Sequence, residues 1–467
     1  MENVLFVRLS SNLVFKREHP INIQPPLDIG YCAAVLEKNG YKVYMIDSIF
    51  KRNFYRMIRN LKVKPNIVVI HLTTATYEVA MKLAKYFKEK YNPSPKIISM
   101  GQHATSLPNT LVFRNSPIDF CIIGEAEKTI LDLCNSLERG NGFKNIRGIA
   151  FFDSERDSFV KTKPQELIED LDSLPYPKHE WFSSGLYRIY YPSGLKRNKW
   201  GFIIATRGCP YECIFCSPTL RVSYGKKFRK RSPKKVVEEM EYMVSRFGVK
   251  SIFFLDDNFS FDREWVLELC RGIKRRKLNI KWAAQVKLNH INKQMLKEMK
   301  SSGCETLCFG VESGSDRILK ILKKSVTVRE IKRSCSIVKE EGMFTSCFFM
   351  IGCPTETMEE IEETFNLALE IDSDLIQVAF FTPYPGSPVF KEFRGKIPFR
   401  RFSHYDTLVH NFSNVPFERL RRAQKEFYWK YYARPSYILR HWKNLLRIGV
   451  MNEMELVKKT ARFLFKI

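Results

Sequence analysis

The sequence predicts an α/β protein of two units in tandem: a doubly wound, Rossmann-like parallel sheet over residues 1–140 and a partial, TIM-like (β/α)6 barrel over 200–390, followed by a helical extension over 391–467. Three observations carry this. Short apolar runs alternate with amphipathic helical segments through residues 1–140, the pattern of a parallel sheet covered on both faces. The alternation resumes at residue 200 and repeats six times. Between the two lies 141–199, a connector with a small strand pair and the stretch LDSLPYPKHEW, whose two prolines read as extended chain. At 467 residues the chain is also too long for one ordinary core.

In order, NVLFVRL is a strand and PPLDIGYCAAVLEKNG an amphipathic helix ending at Gly40. YKVYMID and NIVVIHLTT are strands, YEVAMKLAKYFKEKY a helix, KIISMG and DFCIIG strands, and EKTILDLCNSLERG the last helix of the unit. Ligands of such sheets sit beyond the carboxyl ends of the strands. Here those ends are the loops 8–12, 71–77, 101–107 and 124–129, all rich in small, polar or glycine residues. The barrel strands are GFIIATRG, SIFFLDDN, IKWAAQV, TLCFGVES, TSCFFMIG and LIQVAFFTPYPG, with helices at 233–247, 263–276, 292–302, 327–342 and 357–371. Chemistry in β/α barrels gathers at the carboxyl ends of the strands, where Cys209, Asp256, Asp257, Glu312, Gly352 and Tyr384 all fall.

Apolar content of 44% and charged content of 27% suit a soluble globular chain. No run of 18 uncharged apolar residues occurs, so no spanning helix is expected. The opening MENVLFVRLSSN reads as a buried strand, not a secretory signal, which points to the cytoplasm, where thiols stay reduced. The net charge is +27, and residues 391–467 hold 18 Lys/Arg against 6 Asp/Glu. Such an excess suits nucleic acid, an anionic membrane or an acidic substrate; solvated lysine-rich faces explain it equally well.

Twelve cysteines in a reducing compartment point to metal binding or core filling rather than disulfides. Three stand apart, Cys209, Cys213 and Cys216 in RGCPYECIFCSP. Structural zinc wants four ligands, usually as two close pairs. No second pair follows: Cys270 falls on a helix, and Cys304 and Cys308 flank or enter a strand. Pro210, Tyr211 and Glu212 break any buried periodicity. Three thiolates on one loop suit a [4Fe–4S] cluster, which normally takes four cysteines. With three, one iron keeps a position for a substrate or cofactor.

C-x3-C-x2-C with Phe215 before its last cysteine, at the end of the first barrel strand, resembles the radical S-adenosylmethionine (SAM) superfamily. The resemblance implies that the amino and carboxylate groups of SAM chelate the open iron, and that one electron from the cluster cleaves the sulfonium to a 5′-deoxyadenosyl radical. It carries over position by position. Asp256, Asp257 and Asn258 in LDDNF match the place that binds the methionine amino group, and would equally serve as a helix N-cap cluster. Gln285 and Lys287 end the third strand, where relatives often have an arginine near the SAM carboxylate. Glu312, followed by Ser313, matches the carboxylate that bonds the ribose hydroxyls. Gly352 and Pro354 in MIGCPTET, and Tyr384, Pro385 and Gly386 in TPYPGSP, match turns lining the adenine, although turn chemistry alone would also place them.

A Rossmann-like domain ahead of such a barrel resembles the cobalamin-binding class of radical SAM enzymes; PPLDIGYCAAVLEKNGYKVYMID and GEAEKTILDL look characteristic of it. The resemblance covers residues 1 to about 435. It implies a corrinoid across the strand ends, with Ser10, Thr73, Thr74, Gly101, Gln102, His103, Gly124 and Glu125 as candidate contacts. The D-x-H-x-x-G motif of corrinoid mutases is missing, so His103 is expected at the pocket edge rather than as a cobalt ligand. The implied function is cobalamin-dependent methyl transfer to an unactivated carbon of a lipid or secondary metabolite, with flavodoxin or ferredoxin as electron donor. Rival readings are a radical SAM oxidative cyclase or rearrangement enzyme, a tRNA methylthiotransferase, and a non-enzymatic corrinoid sensor. The methylthiotransferase would need Cys32, Cys121 and Cys134 to converge on a further cluster. In the tail, Ile438, Leu439, Trp442, Leu445 and Leu446 form one apolar face of a basic helix, suited to a membrane surface or to packing across the barrel. No nucleic-acid-reading motif accompanies the charge.

Overall fold

The computed structural model describes residues 2–14, 22–49, 53–183, 185, 187–189, 199–216, 223–392, 398–403 and 408–447, and over 442–447 the backbone alone. The first sheet has seven strands: β1 (Asn3–Arg8), β2 (Lys42–Asp47), β3 (Ile67–His71), β4 (Lys96–Met100), β5 (Phe120–Ile122), β6 (Ile149–Asp153) and β7 (Ser158–Lys161). Their order is β2-β1-β3-β4-β5-β6-β7. The first five are parallel, and β6 and β7 continue the sheet as an antiparallel hairpin. The strand pair expected in the connector therefore belongs to this sheet, which runs past residue 140.

Helices α1 (Leu27–Lys38), α2 (Tyr77–Lys90) and α3 (Glu127–Arg139) cover the sheet. Val4 and Phe6 of β1 pack on one side with Ile29, Leu36 and Leu133; Leu5 and Val7 pack on the other with Ala84 and Phe87. Both faces of the strand are buried, which is why it reads as an unbroken apolar run. β2 and β3 lie on opposite sides of β1, so the strand order reverses there, and ligands of doubly wound sheets bind at such a point.

The second sheet holds β8 (Trp200–Ile203), β9 (Ser251–Phe254), β10 (Lys281–Val286), β11 (Cys304–Glu312), β12 (Phe344–Ile351) and β13 (Leu375–Phe380), all parallel and in chain order. Between them run α4 (Pro233–Phe247), α5 (Arg263–Arg275), α6 (Lys293–Ser301), α7 (Val328–Glu340) and α8 (Met358–Ile371). Their starts are written in cap chemistry: the side chains of Ser232, Asp262, Asn292, Thr327 and Thr357 each accept a first-turn backbone N–H.

The barrel is open, and other parts of the chain fill and cover it. Leu27 and Tyr31 of α1, with Phe182, Tyr187 and Ile189 of the connector, pack against Trp200, Phe202, Phe253, Ala283 and Cys308. Along the last strand lies α9 (Phe417–Tyr432). Val378 N donates to the Tyr428 hydroxyl (2.7 Å) and Ile376 N to that of Tyr432 (2.9 Å), while Gln424 Nε2 donates to Val378 O (2.9 Å). These side chains stand in for a further strand at an edge that would otherwise bare its N–H and C=O groups.

α10 (Pro435–Arg447) is tied down by Tyr437, whose hydroxyl donates to Asp374 O (2.7 Å), and by Arg434 and Arg440 on Asp372. Polar side chains thus dock this helix, while Ile438 and Leu439 stay 47% and 69% exposed. Trp442, Leu445 and Leu446 lie outside the described side chains. Among the described residues no helix is long and apolar enough to cross a membrane.

Candidate active site

Beyond β8, Thr206–Arg207 pairs antiparallel with Arg229–Lys230, so the cysteine loop leaves and returns at one place. Gly208 sits at φ +86°, and an added Cβ would overlap the Lys227 carbonyl oxygen; only glycine can turn there. Cys209 N donates to Gly225 O (3.3 Å), Ile214 N to Leu322 O (3.1 Å) and Val389 N to Ile214 O (3.3 Å). Cys209, Cys213 and Cys216 are partly exposed, whereas the other nine cysteines are buried, the difference between available thiols and core filling. Among the described residues no three His, Cys, Asp or Glu converge on one ion; a [4Fe–4S] cluster takes one thiolate per iron rather than a common focus. Phe215 packs with Ile318, Leu322, Met350 and Phe381, wedging the loop onto the barrel.

At the end of β9 the three candidates separate. Asp256 accepts the backbone N–H groups of Ala205 (3.1 Å) and Thr206. Its carboxylate therefore holds the start of the cysteine loop. Burial pushes it up to about 7. Asp257 is pushed up to about 8 by burial and by Asp256 beside it. Oδ2 of Asp257 and both amide atoms of Asn258 are buried without partners. Buried polar atoms left unpaired are costly, and acceptors placed so fit an ammonium ligand.

Two lysines face the thiols. Lys287 Nζ lies 3.2 Å from the Tyr211 ring centre and donates to Lys324 O (3.1 Å); burial lowers it to about 8. Lys324, which sequence reasoning missed, donates to Glu312 Oε1 (2.8 Å) and lies 5.7 Å from the Phe215 ring centre. Burial works against its charge, but Glu312 and the thiols of Cys213 and Cys216 outweigh it, so its pKa is raised. Glu312 holds φ +70° beside a register shift in β11, a strained conformation of the kind found at functional sites. Gly310 makes room: an added Cβ would overlap Glu312 Oε1 and come 2.6 Å from Lys324 Nζ.

Gln285 is half-buried at the end of β10. The Ser313 hydroxyl bonds Thr364 Oγ1 (3.2 Å) and accepts Ser315 N (3.1 Å) within a turn. Gly352, at φ +78°, donates its N–H to Glu356 (2.6 Å), with Pro354 half-buried beside it. The Tyr384 ring lies tilted at 48° to Phe402 (6.1 Å between centres), next to the buried Pro385 and to Gly386 at φ +91°.

In the first domain, Ser10, Thr73, Gly101, Gln102 and Gly124 fall at the ends of β1, β3, β4 and β5. Ser10 N donates to Ser48 Oγ (2.7 Å), Thr73 N to Thr76 Oγ1 (3.0 Å) and Gly124 N to Thr105 Oγ1 (3.3 Å). Two buried polar atoms in these loops, His71 Nδ1 and Ser106 Oγ, have no partner, while His71 Nε2 bonds Asp28 (2.9 Å).

Three expected contacts have partners within the protein. His103 is fully buried, with Nδ1 on Thr74 Oγ1 (3.2 Å) and Nε2 on Thr110 Oγ1 (3.0 Å), and burial lowers it to about 4. His103 and Thr74 are thereby engaged with each other. Glu125 is 4% exposed and pairs with Arg207 and Arg229 of the barrel. Cys32 and Cys134 sit on one face of the sheet and Cys121 on the other, so they do not build a second cluster.

The profile of the radical SAM superfamily matches residues 203–368, and that of the B12 binding domain residues 20–133. An uncharacterised methyltransferase of Pyrococcus horikoshii is 30% identical over 424 residues, spanning 89% of each chain. The anaerobic magnesium-protoporphyrin IX monomethyl ester cyclase of Cereibacter sphaeroides is 28% identical over 82% of this chain and 62% of its own. The radical S-adenosylmethionine methyltransferase TsrM of Kitasatospora setae, solved with cobalamin and a [4Fe–4S] cluster, superposes with a TM-score of 0.68, at 17% identity over 84% of this chain and 77% of that one. At that identity the likeness speaks for the fold.

Proposed function

The chain belongs to the radical SAM enzymes that carry an N-terminal B12-binding domain, and on that premise we propose that it transfers a methyl group, by way of cobalamin, to an unactivated carbon of a lipid or secondary metabolite. Its cofactors are those of the family, a [4Fe–4S] cluster, SAM and cobalamin. One observation carries the reading. Three partly exposed thiols, the orphaned atoms of Asp257 and Asn258 and two lysines meet at one end of the barrel, and the corrinoid-side loop of the first domain is pinned to the same cysteine loop.

When bound, the cluster supplies the electron that cleaves SAM and the corrinoid supplies the methyl group. Cys209, Cys213 and Cys216 each hold an iron in this reading. Asp257 Oδ2 and Asn258 Oδ1 accept the methionine ammonium, and Lys287 and Lys324 face its carboxylate. Lys324 occupies one oxygen of Glu312; the other is assigned to a ribose hydroxyl. The turns at Gly352, Pro354, Tyr384 and Pro385 border the adenine. Ser10, Thr73, Gly101, Gln102 and Gly124 border the corrinoid. A one-electron donor of the flavodoxin or ferredoxin class completes the system.

Anaerobic reconstitution with iron, sulfide and cobalamin, followed by SAM and dithionite as the one-electron reductant, tests this. About four irons and one cobalt per chain are expected, with both S-adenosylhomocysteine, left when SAM gives up its methyl, and 5′-deoxyadenosine, left when SAM is cleaved. Iron without cobalt, or 5′-deoxyadenosine without S-adenosylhomocysteine, would sink methyl transfer and leave oxidative cyclisation, the reading that the relative from Cereibacter favours. Cys213→Ala should lose 5′-deoxyadenosine formation; its persistence would refute the cluster assignment.

A further inference from the structure

We propose that Arg207 is a positioning residue that locks the cysteine loop of the barrel onto the β5–α3 loop of the first domain, and so fixes how the two cofactor sites stand to each other. What occupies those sites rests on the reading above; the lock itself rests on geometry alone.

Arg207 directly precedes Gly208 and Cys209 and is 1% exposed. Its Nη1 donates to Glu125 Oε1 (3.1 Å) and its Nη2 to Glu127 Oε1 (2.5 Å). Both glutamates belong to the first domain and both are buried. Arg229, paired with Arg207 across the two-stranded ribbon, donates from Nη1 to both oxygens of Glu125 (2.9 Å each) and to Ile168 O (2.7 Å). The Arg207 guanidinium also lies over two rings, Tyr31 of α1 at 5.2 Å and Tyr224 of the barrel loop at 4.8 Å.

Two buried cations and two buried anions balance here. Burial of charge is costly unless geometry is good, and apolar residues of the same volume often hold two surfaces together as well or better. The two domains already share an apolar core. What an arginine fork on two carboxylates adds is direction, since it tolerates little rotation. The lock also has a site on each side. On the barrel side the next residues are Gly208 and Cys209, and the Arg207 charge reaches Asp257. On the other, Glu125 follows Gly124 at the end of β5, where an added Cβ would come 3.9 Å from Ser223 O of the barrel. A lysine at 207 would keep the charge and lose the fork.

The test uses Arg207→Lys and Glu127→Gln in the full chain, reconstituted anaerobically with iron, sulfide and cobalamin. The readout is the spin relaxation of Co(II), measured with the cluster oxidised and then reduced by dithionite. In the wild type, reduction should speed Co(II) relaxation, an effect steep in the distance between the two spins. Both variants should still load iron and cobalamin and should lose much of that acceleration. Acceleration equal to wild type in every variant that folds, whatever its thermal stability, would reduce the lock to a stabilising contact and overturn the proposal. If the wild type takes up no cobalamin, the functional reading fails instead, and the spread of distances between two spin labels, one on an exposed residue of each unit of the iron-loaded chain, decides the lock. A spread that broadens in the variants supports it; one equal to wild type overturns it.

Discussion

Asp257, at about 8, and Asp256, at about 7, hold protons in the folded chain that they would release in the unfolded one, because both are buried and stand side by side. A carboxyl whose folded pKa is raised contributes stability while protonated and loses it as pH rises through that pKa. Without SAM, these two groups should therefore make the melting temperature fall from about pH 4, where the unfolded carboxyls lose their protons, to about pH 8. Asp257→Asn should flatten that fall, and saturating SAM, whose ammonium takes the carboxylate, should raise stability most at the alkaline end. Glu356, at about 8 through burial, acts in the same sense, so some slope stays; Lys287, lowered to about 8 by burial, acts oppositely at higher pH. An unchanged slope in Asp257→Asn would refute the assignment. A second test at this scale is Gly310→Ala. The new Cβ displaces the Glu312–Lys324 pair, so the SAM dissociation constant should rise roughly tenfold, about 1.4 kcal/mol, with iron content unchanged. Calorimetric titration and iron analysis on the same sample check both halves.

Among the elements, α9 has the most to say about how an open barrel is finished. Its Tyr428 and Tyr432 hydroxyls each accept a β13 backbone N–H and turn back toward the carbonyl of the same residue, 3.4 and 3.1 Å away. Removing either hydroxyl orphans groups that the ring still shields from water, at a cost of about 1–3 kcal/mol. Tyr428→Phe and Tyr432→Phe should each lower stability by that order in denaturant titrations; a neutral pair would mean that water already serves the edge. Nothing in residues 417–432 names this task. Gln424, Tyr428 and Tyr432 recur at helical spacing and read simply as one face of a helix. The barrel helices were legible because their first residues are Ser, Thr, Asp and Asn caps, and the cysteine loop because its spacing is itself the chemistry. The hairpin β6–β7 was legible as strands but not as part of the first sheet, since a short apolar run does not say which edge it joins. Glu125 read as a ligand because it ends a strand of a ligand-binding sheet; its partner Arg207 is 82 residues away. Lys324 was missed because its pairing with Glu312 depends on the turn after β11, which the sequence leaves open.

At the scale of the whole molecule, the two units are not separable. The barrel interior is lined by Trp200, Phe202, Phe253 and Ala283, and what covers them comes from before the barrel: Leu27 and Tyr31 of α1, then Phe182, Tyr187 and Ile189 of the connector. Tyr187 further donates its hydroxyl to Asp47 of β2 (2.5 Å), which also holds Arg8 (3.0 Å). Burying a large side chain contributes about 2 kcal/mol. Five of them come to about 10 kcal/mol, comparable with the whole stability of a typical domain, roughly 5–15 kcal/mol. A chain shortened to residues 199–467 would present those apolar walls to water with its cysteine loop, strand ends and α9 intact. It should bind a hydrophobic dye, self-associate, and lose a cooperative melt even after iron and sulfide are restored, while the full chain melts cooperatively. A monomeric shortened chain that melts sharply and cleaves SAM at the full-length rate would show that the barrel needs neither α1 nor the connector, and the shared core would then be a docking surface rather than a condition for folding.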